Sequence, residues 1–265
     1  MAATLSAAEA LTFYAFTRAS FPTPQSALPL LEAFVEAGEP FIPSRYGAYE
    51  PLRTPFDAGA LLAPARMLSD RPCDLFLKRS RPSMEASLTW KAGRARPWIW
   101  SVRMSSAWMK PSTCAPARLT TFLVELCARF PPVFAICATT ADLARQHTVY
   151  SPTTGEDLGM RGLVLGPGEG LPGVCWLTFF GPELVAFFGR ERLLSLDVHR
   201  VFDRGPSGVG VLLQESPHAG TPVTRQRLES AVVAALGQEF FFELAGALKS
   251  PPPPRTPIPG ATDHS

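Results

Sequence analysis

Residues 84–90, MEASLTW, and residues 98–104, WIWSVRM, indicate the fold class, because apolar side chains recur in them at every second position. The apolar positions are Met84, Ala86, Leu88 and Trp90 in the first stretch, and Trp98, Trp100, Val102 and Met104 in the second. A period of two is typical of strands whose sheet is buried on one face only. With the apolar residues 75–77 before them and a turn near Ala92-Gly93, these stretches predict a three-stranded antiparallel meander.

Five further strands are predicted elsewhere in the chain. Short apolar runs bounded by proline, glycine or polar residues favour strands, and a central strand is apolar on both faces. These runs are ALTFYAFT at 10–17, VFAICA at 133–138, VCWLTFF at 174–180, and a hairpin at 199–214 with Asp203–Gly208 as its turn. The run at 174–180 is apolar on both faces, which predicts a central position in the sheet.

Helices are predicted where apolar residues recur at a spacing of three and four. The longer ones are residues 26–37, stopped by Gly38, residues 119–130, ended by Pro131 and Pro132, and a last helix from about Arg225 to Ala245. The expected apolar face of the last helix consists of Leu228, Val232, Ala235 and Leu236. Three short helices are expected after Thr139, which is followed by Asp142 in a capping pattern, after Gly181-Pro182-Glu183, and after Gly189.

The strands are clustered and mostly joined by hairpins, which favours an α+β fold with antiparallel sheet packed against amphipathic helices. Each half begins with a strand that leads into a helix, so a distant internal duplication is a hypothesis. We expect one globular domain over residues 1–249. Residues 250–265, SPPPPRTPIPGATDHS, are rich in consecutive prolines that cannot join a core, and we expect a disordered tail there.

Composition narrows the class of protein. The 265 residues are 46% hydrophobic and 18% charged with a net charge of +2, which is typical of a globular protein able to bury a core. No apolar run is long enough for a membrane span, and the N-terminus lacks the basic start of a secretory signal, so we expect a cytoplasmic protein without membrane contact. The five widely spaced cysteines predict buried free thiols, with neither disulfides nor a metal site.

Local catalytic and cofactor motifs are not recognisable in the chain. The glycine-rich residues 159–173 lead into a strand, whereas a phosphate-binding loop leads into a helix and carries Lys-Ser or Lys-Thr. Ser207 stands in a hairpin turn without the spacing of a nucleophile elbow, and Cys137, which could pair with His147, lies in an apolar run. We therefore predict no catalytic residues and no cofactor. A site assembled from distant carboxylates stays open, with Glu50 and Glu85 as its candidates.

The stretch 78–103 is basic and aromatic. Seven lysines and arginines stand there against one acidic residue, Glu85, with tryptophans at 90, 98 and 100 between them. Such a stretch could stack bases and hold phosphates. The tryptophans, however, share a face with Met84, Leu88 and Val102, which indicates core packing. A basic rim that meets an acidic protein partner is an equal alternative.

The loop at 45–53, RYGAYEPLR, combines two tyrosines and two arginines in a segment bounded by prolines. Tyrosine and arginine are enriched at binding hot spots. The alternative is a loop tied down over the sheet, with Arg53 paired to Glu50. The candidate partner-binding residues here and in the following strand are Arg45, Tyr46, Tyr49, Glu50, Arg53, Arg79 and Arg81.

Two segments resemble a known family. RYGAYEPLR at 45–53 with LFLKRSRP at 75–82, and LPGVCWLTFFGPELVAFFGRERLLSL with the following hairpin at 171–216, are similar to bacterial immunity proteins of polymorphic and type VI toxin systems, particularly the immunity protein 52 family. The shared features are packing motifs and carry no active-site residues. The resemblance implies a non-catalytic cytosolic protein that binds and neutralises a cognate toxin.

Two other functions stay open beside this one. An enzyme with a dispersed site would bring Glu50, Arg53 or Arg79 together in a polar cleft. A nucleic-acid-binding protein would use the basic stretch 78–103 and bind in a salt-sensitive manner. The sequence does not indicate the toxin or the oligomeric state.

Overall fold

The computed structural model describes residues 10–18, 20–69, 74–89, 98–110, 112–150, 157–160 and 170–241. The strands are β1 (Leu11–Thr17), β2 (Arg45–Gly47), β3 (Thr54–Pro55), β4 (Asp74–Ser80), β5 (Ser83–Thr89), β6 (Trp98–Met104), β7 (Phe134–Thr139), β8 (Thr148–Tyr150), β9 (Asp157–Met160), β10 (Leu177–Phe180), β11 (Arg200–Asp203) and β12 (Val209–Leu212). The helices are α1 (Pro24–Glu36), α2 (Leu62–Ser69), α3 (Pro116–Arg129), α4 (Thr140–His147), α5 (Pro182–Phe188), α6 (Arg190–Leu194) and α7 (Pro222–Leu236).

Ten strands form one antiparallel sheet in the order β11-β12-β10-β7-β1-β6-β5-β4-β2-β3. The predicted α+β class and the meander β4-β5-β6 are thereby confirmed. Strands β1 and β7 are neighbours in the middle of the sheet, with Phe13 opposite Cys137. A separate two-stranded sheet pairs β8 with β9. The internal duplication stays a hypothesis.

Two apolar cores lie on opposite faces of this sheet. The first contains the apolar positions of β4, β5 and β6 together with residues of α1, α2 and α3, such as Phe34, Leu68 and Phe122. The second lies under α4 to α7 and contains Phe134, Phe180 and the buried residues of α7. Among the described residues, the second core includes none from β4, β5 or β6. One face of the meander therefore has no helix of that core packed on it.

Local signals set the helix starts. Thr139 Oγ1 accepts the backbone N–H of Asp142 at 3.0 Å and donates to the Asp142 carboxylate at 2.9 Å, as the capping pattern predicts for α4. Pro182 is the first residue of α5, where its missing N–H leaves no helical bond unmade. Both predicted starts are confirmed.

Three predictions about helices and strands need correction. Helix α7 ends at Leu236 and not near Ala245, because Gly237 takes a φ of +103° and its N–H bonds to the carbonyl of Val233. Ala235 is exposed, and the buried side of α7 carries Glu229 together with Val232 and Leu236. The strand predicted at 174–180 is shorter and begins at Leu177, although it is interior in the sheet as expected.

The structure describes only some of the residues for which buried cysteines, a tail and a glycine-rich loop are predicted. The four described cysteines, Cys114, Cys127, Cys137 and Cys175, are buried free thiols, while Cys73 lies outside the described residues. The tail at 250–265 and most of the glycine-rich residues 159–173 also lie outside them. None of the helices in the described ranges is long and apolar enough to cross a membrane.

Candidate functional site

The predicted partner-binding loop lies near one end of the large sheet, between β2 and β3. Strand β2 pairs with β4 so that Arg45 stands opposite Lys78. Arg45, Tyr49, Glu50 and Arg53 are exposed, and Tyr49 is 84% accessible to solvent. Four of the seven predicted residues therefore share one exposed surface.

Tyr46 differs from its neighbours in the loop. It stands opposite Leu77 in the pairing of β2 with β4, so it faces the first core and is only 8% exposed. Its ring meets that of Phe56 edge-on at 6.3 Å. Tyr46 anchors the strand in the core, and its side chain does not belong to the exposed surface.

Glu50 makes its ion pair with β4. Its carboxylate lies 3.0 Å from Lys78 Nζ, and the hydrogen bond from Lys78 lowers the pKa of Glu50. Arg53, the expected partner of Glu50, instead accepts a hydrogen bond on its backbone oxygen from Arg45 Nη1 at 3.2 Å. The loop is thus tied to the sheet through Glu50, and the Arg53 guanidinium has no carboxylate partner in the described ranges.

Arg79 and Arg81 have different surroundings. Arg79 donates to the backbone oxygens of Ile42 and Arg81, both at 2.9 Å, and forms an ion pair with Glu39 at 2.6 Å. Its guanidinium is therefore occupied in holding two loops together. Arg81 is exposed in the turn between β4 and β5. Glu50 thus pairs with Lys78 and Arg79 with Glu39, and neither is paired with the Arg53 guanidinium.

The exposed loop continues onto the face of the meander that lacks residues of the second core, which we call the open face and define by the half-exposed Phe76, Lys78, Glu85, Ser87 and Ser101 and the exposed Arg103. Cross-strand pairing places Lys78 opposite Glu85 and Glu85 opposite Arg103. With Arg45 opposite Lys78, a row of charges crosses four strands over about 14 Å, three times the strand spacing. Ser87 pairs with Phe76 on one side and Ser101 on the other, which gives a second, uncharged row.

Positive charges outnumber negative charges on the loop and the open face. Lys78 lies within 4 Å of both carboxylates, at 3.0 Å from Glu50 and 3.7 Å from Glu85. Within the described part of the chain, Arg45, Arg53 and Arg103 have no carboxylate within 4.0 Å. The loop and the open face therefore present, beside an exposed tyrosine, three guanidiniums that form no ion pair with another residue of the described ranges.

One of the three tryptophans in the basic stretch 78–103, Trp100, is not available for stacking on bases. Trp100 is buried in the first core and contacts the rings of Phe13 and Phe130 edge-on at 6.1 and 5.8 Å. Trp90 and the residues up to 97 lie outside the described residues. Trp100 is thus a core residue, as the pattern of alternation indicates.

The two nucleophiles considered in the sequence, Cys137 and Ser207, have structural contacts. Cys137 is fully buried in the sheet, and burial raises the pKa of its thiol. Ser207 donates from Oγ to the backbone oxygen of Ala128 at 2.8 Å and so ties the β11–β12 hairpin to α3. Both side chains are thus buried or engaged in the packing of the fold.

A buried cluster of ion pairs joins α4 to α7, and the sequence patterns do not reveal it. Arg145 Nη2 lies 2.6 Å from Glu229 and 3.4 Å from Asp142. Arg225 Nε lies 3.2 Å from the same oxygen of Asp142. Four charges from two helices thereby form one alternating chain.

The cluster is poorly accessible to water. The side chains of Asp142 and Glu229 are only 7% and 11% exposed. Burial raises the pKa of Glu229, and the hydrogen bond from Arg145 opposes this effect. Arg145 and Glu229 also line a cavity of about 330 Å³ with Gln146, Gly173 and Gln238.

The spacing of the four charged residues along the chain does not indicate that they form a cluster. Asp142 and Arg145 are three residues apart on α4, and Arg225 and Glu229 are four apart on α7, so each pair alone is an ordinary surface spacing. Only the packing of α7 beside α4 brings the two pairs together. Glu229, set between the apolar residues Leu228 and Val232, is the single local sign.

Fold and surface together define an antiparallel α+β protein with an exposed, partly basic loop beside an open sheet face. The fold is similar to the solved structure of the Pseudomonas aeruginosa T6SS protein PA0821, with a TM-score of 0.57. The sequences are 14% identical, and the match covers 88% of this chain and 73% of that chain. No protein-family model matches the sequence, and no curated protein matches it.

Proposed function

We propose that this chain is a non-catalytic immunity protein that binds and neutralises a cognate bacterial toxin in the cytoplasm. The observation that carries the proposal is the exposed surface formed by Tyr49 with Arg45, Arg53 and Arg103, three arginines that have no carboxylate within 4.0 Å among the described residues. The resemblance of residues 45–53, 75–82 and 171–216 to immunity proteins supports the same function. The fold similarity to a T6SS protein is compatible with it.

Tyr49 is the expected anchor of the interface. A tyrosine brings a large contact area and a hydroxyl group at a small cost in conformational entropy. The loop is held on both sides of Tyr49, since Tyr46 is buried in the core and Glu50 pairs with Lys78 at 3.0 Å. Binding therefore needs little ordering of the loop, which favours affinity.

The size of the surface limits what can serve as the interface. The open face measures about 10 by 20 Å, from the spacing of its three strands and the length of β4 to β6. A stable interface covers about 800 Å² per partner, so this face alone is too small. The loop at 48–53 must contribute, and the binding surface is expected to extend from Tyr49 to Arg103.

A coexpression experiment tests the proposal. The toxin domain encoded beside this chain in its genome is expressed in the cytoplasm of a bacterial host, with and without this chain. We expect growth to be restored and the two proteins to coelute in size-exclusion chromatography. Growth arrest despite coexpression, together with separate elution, would contradict the proposal.

Tyr49→Ala is expected to weaken toxin binding by at least about 2 kcal/mol, roughly thirtyfold in Kd, because a hot-spot anchor is removed. The melting temperature should stay that of the unmodified chain, since the Tyr49 side chain is 84% exposed. Isothermal titration calorimetry with the purified toxin domain measures the change in Kd. Val223→Ala is the matched control, because Val223 is an exposed hydrophobic residue at 60% on α7, away from the loop. Equal affinities for the two variants would place the interface elsewhere.

A further inference from the structure

An open cleft of about 620 Å³ lies at the turn between β4 and β5, where Arg81 stands. Three chain segments form it, and they are the residues around Pro40, the turn itself, and the segment after β6. Its polar lining residues are Ser80, Arg81, Ser83, Ser105, Lys110 and Thr113. The cleft thus differs from the cavity at Arg145 and from the loop around Tyr49.

Hydrogen bonds to backbone oxygens of the β4–β5 turn hold the walls of the cleft in place. Trp108 is fully buried in the short 3-10 helix that follows β6, and its Nε1 donates to the backbone oxygen of Ser83 at 2.9 Å. The backbone N–H of Ser105 donates to the same oxygen at 3.0 Å. On the other side, Arg79 Nε holds the backbone oxygen of Arg81 at 2.9 Å. A ligand therefore meets a surface that is already in place.

The charged side chains that line the cleft are all positive. It contains two cations and four side-chain hydroxyls, and no carboxylate is among the lining residues. Glu39, which adjoins Pro40 of the cleft, is paired with Arg79 at 2.6 Å. In the described ranges, neither Arg81 nor Lys110 has a carboxylate within 4.0 Å. The field in the cleft is positive, and the hydroxyls can donate to an anion.

We propose that this cleft binds the phosphate group of a small phosphate monoester. A phosphate offers several acceptor oxygens, which suits a guanidinium, an ammonium and hydroxyl donors better than the two oxygens of a carboxylate do. The cleft is within the size range of small-molecule sites, which leaves room for an organic group beside the phosphate. This site does not depend on toxin binding.

The proposal is tested by titrating the full chain with inorganic phosphate and with adenosine monophosphate at constant ionic strength, with chloride as the reference anion. The double variant Arg81→Gln/Lys110→Gln is expected to weaken binding of both phosphates by at least about tenfold, because charge-assisted hydrogen bonds are lost. The control Arg66→Gln/Arg227→Gln removes the same charge at exposed sites on α2 and α7 and should bind as the unmodified chain does. Melting temperatures show whether the variants are folded.

The relative affinities of the ligands test whether the cleft binds a phosphate monoester. Tighter binding of adenosine monophosphate than of inorganic phosphate supports an organic ester as the ligand, and equal binding supports recognition of the phosphate group alone. Binding that is no stronger than that of chloride, or equal binding to the cleft and control variants, would overturn the proposal. When a single-stranded oligonucleotide is titrated in the same way, much tighter and salt-sensitive binding would also overturn the proposal, because the ligand would then be nucleic acid. No toxin takes part in these titrations, so their failure leaves the proposed immunity function untouched.

Discussion

Gly181→Ala is expected to destabilise the folded chain by more than about 3 kcal/mol, because the added methyl group would collide with backbone atoms. A Cβ at position 181 would lie 2.8 Å from the carbonyl carbon of Pro132 and 2.9 Å from the backbone oxygen of Val133. The N–H of Gly181 already bonds to that oxygen of Val133 at 3.0 Å. Relief of the collision would pull β10 and α5 away from β7, and this disturbs the middle of the sheet.

Gly205→Ala is the matched control for this substitution. Gly205 has a φ of +54°, but nothing lies within 4 Å of the position of its added Cβ. The control carries only the backbone cost of a left-handed alanine, about 1 kcal/mol. Urea unfolding followed by circular dichroism gives both free energies. A Gly181→Ala protein as stable as the Gly205→Ala protein would contradict the close packing of Gly181 against Pro132 and Val133.

Arg145→Met is expected to lower the free energy of unfolding by about 3 kcal/mol, because it leaves the buried carboxylate of Glu229 without its cation. Asp142 would keep Arg225 at 3.2 Å and Thr139 at 2.9 Å, so the loss concerns mainly Glu229. Thermal and urea unfolding measure the effect. The double variant Arg145→Met/Glu229→Leu should recover most of the loss, since it removes the unpaired charge and adds apolar surface beside Val232.

Arg129→Met provides a control with the same arginine exposure. The side chains of Arg129 and Arg145 are both 29% exposed, but Glu36, the partner of Arg129, is 58% exposed while Glu229 is 11% exposed. An exposed carboxylate is solvated by water when its partner is removed, so this substitution should cost at most about 1 kcal/mol. Similar losses for Arg129→Met and Arg145→Met would show that burial of the carboxylate does not govern the effect.

The order of strands and helices could be predicted well from local patterns. Alternation in β5 and β6, the capping pair Thr139 and Asp142, and the Gly181-Pro182 helix start each reflect forces within a few residues of the chain. Helix α2 was not predicted, because its eight residues contain Pro64 and span only about two turns of periodicity. The position of β1 between β6 and β7 also could not be predicted, since no local pattern specifies which strands are neighbours.

The candidate surface was predicted in part. Exposure of Tyr49 and Arg53 follows from an irregular, proline-bounded segment, which cannot enter the sheet interior. Burial of Tyr46 depends on the register of β2 against β4, and a shift of one residue would exchange it with Arg45. Arg79 was predicted for partner binding, yet its guanidinium is held by Ile42, Arg81 and Glu39, contacts that arise only in the folded chain.

The central place of β1 has a consequence for how the chain reaches this fold. Leu11 at the start of β1 pairs with Met104 of β6 and with Thr139 of β7. Such pairings have a high contact order, because long loops must close before the strands gain their partners, and proteins of this kind fold slowly. During synthesis, β1 emerges before both of its neighbours, and residue 104 must leave the ribosome before it can pair fully with β6 and residue 139 before it can pair fully with β7. We therefore expect the first strand to be the segment with the greatest need for protection by chaperones.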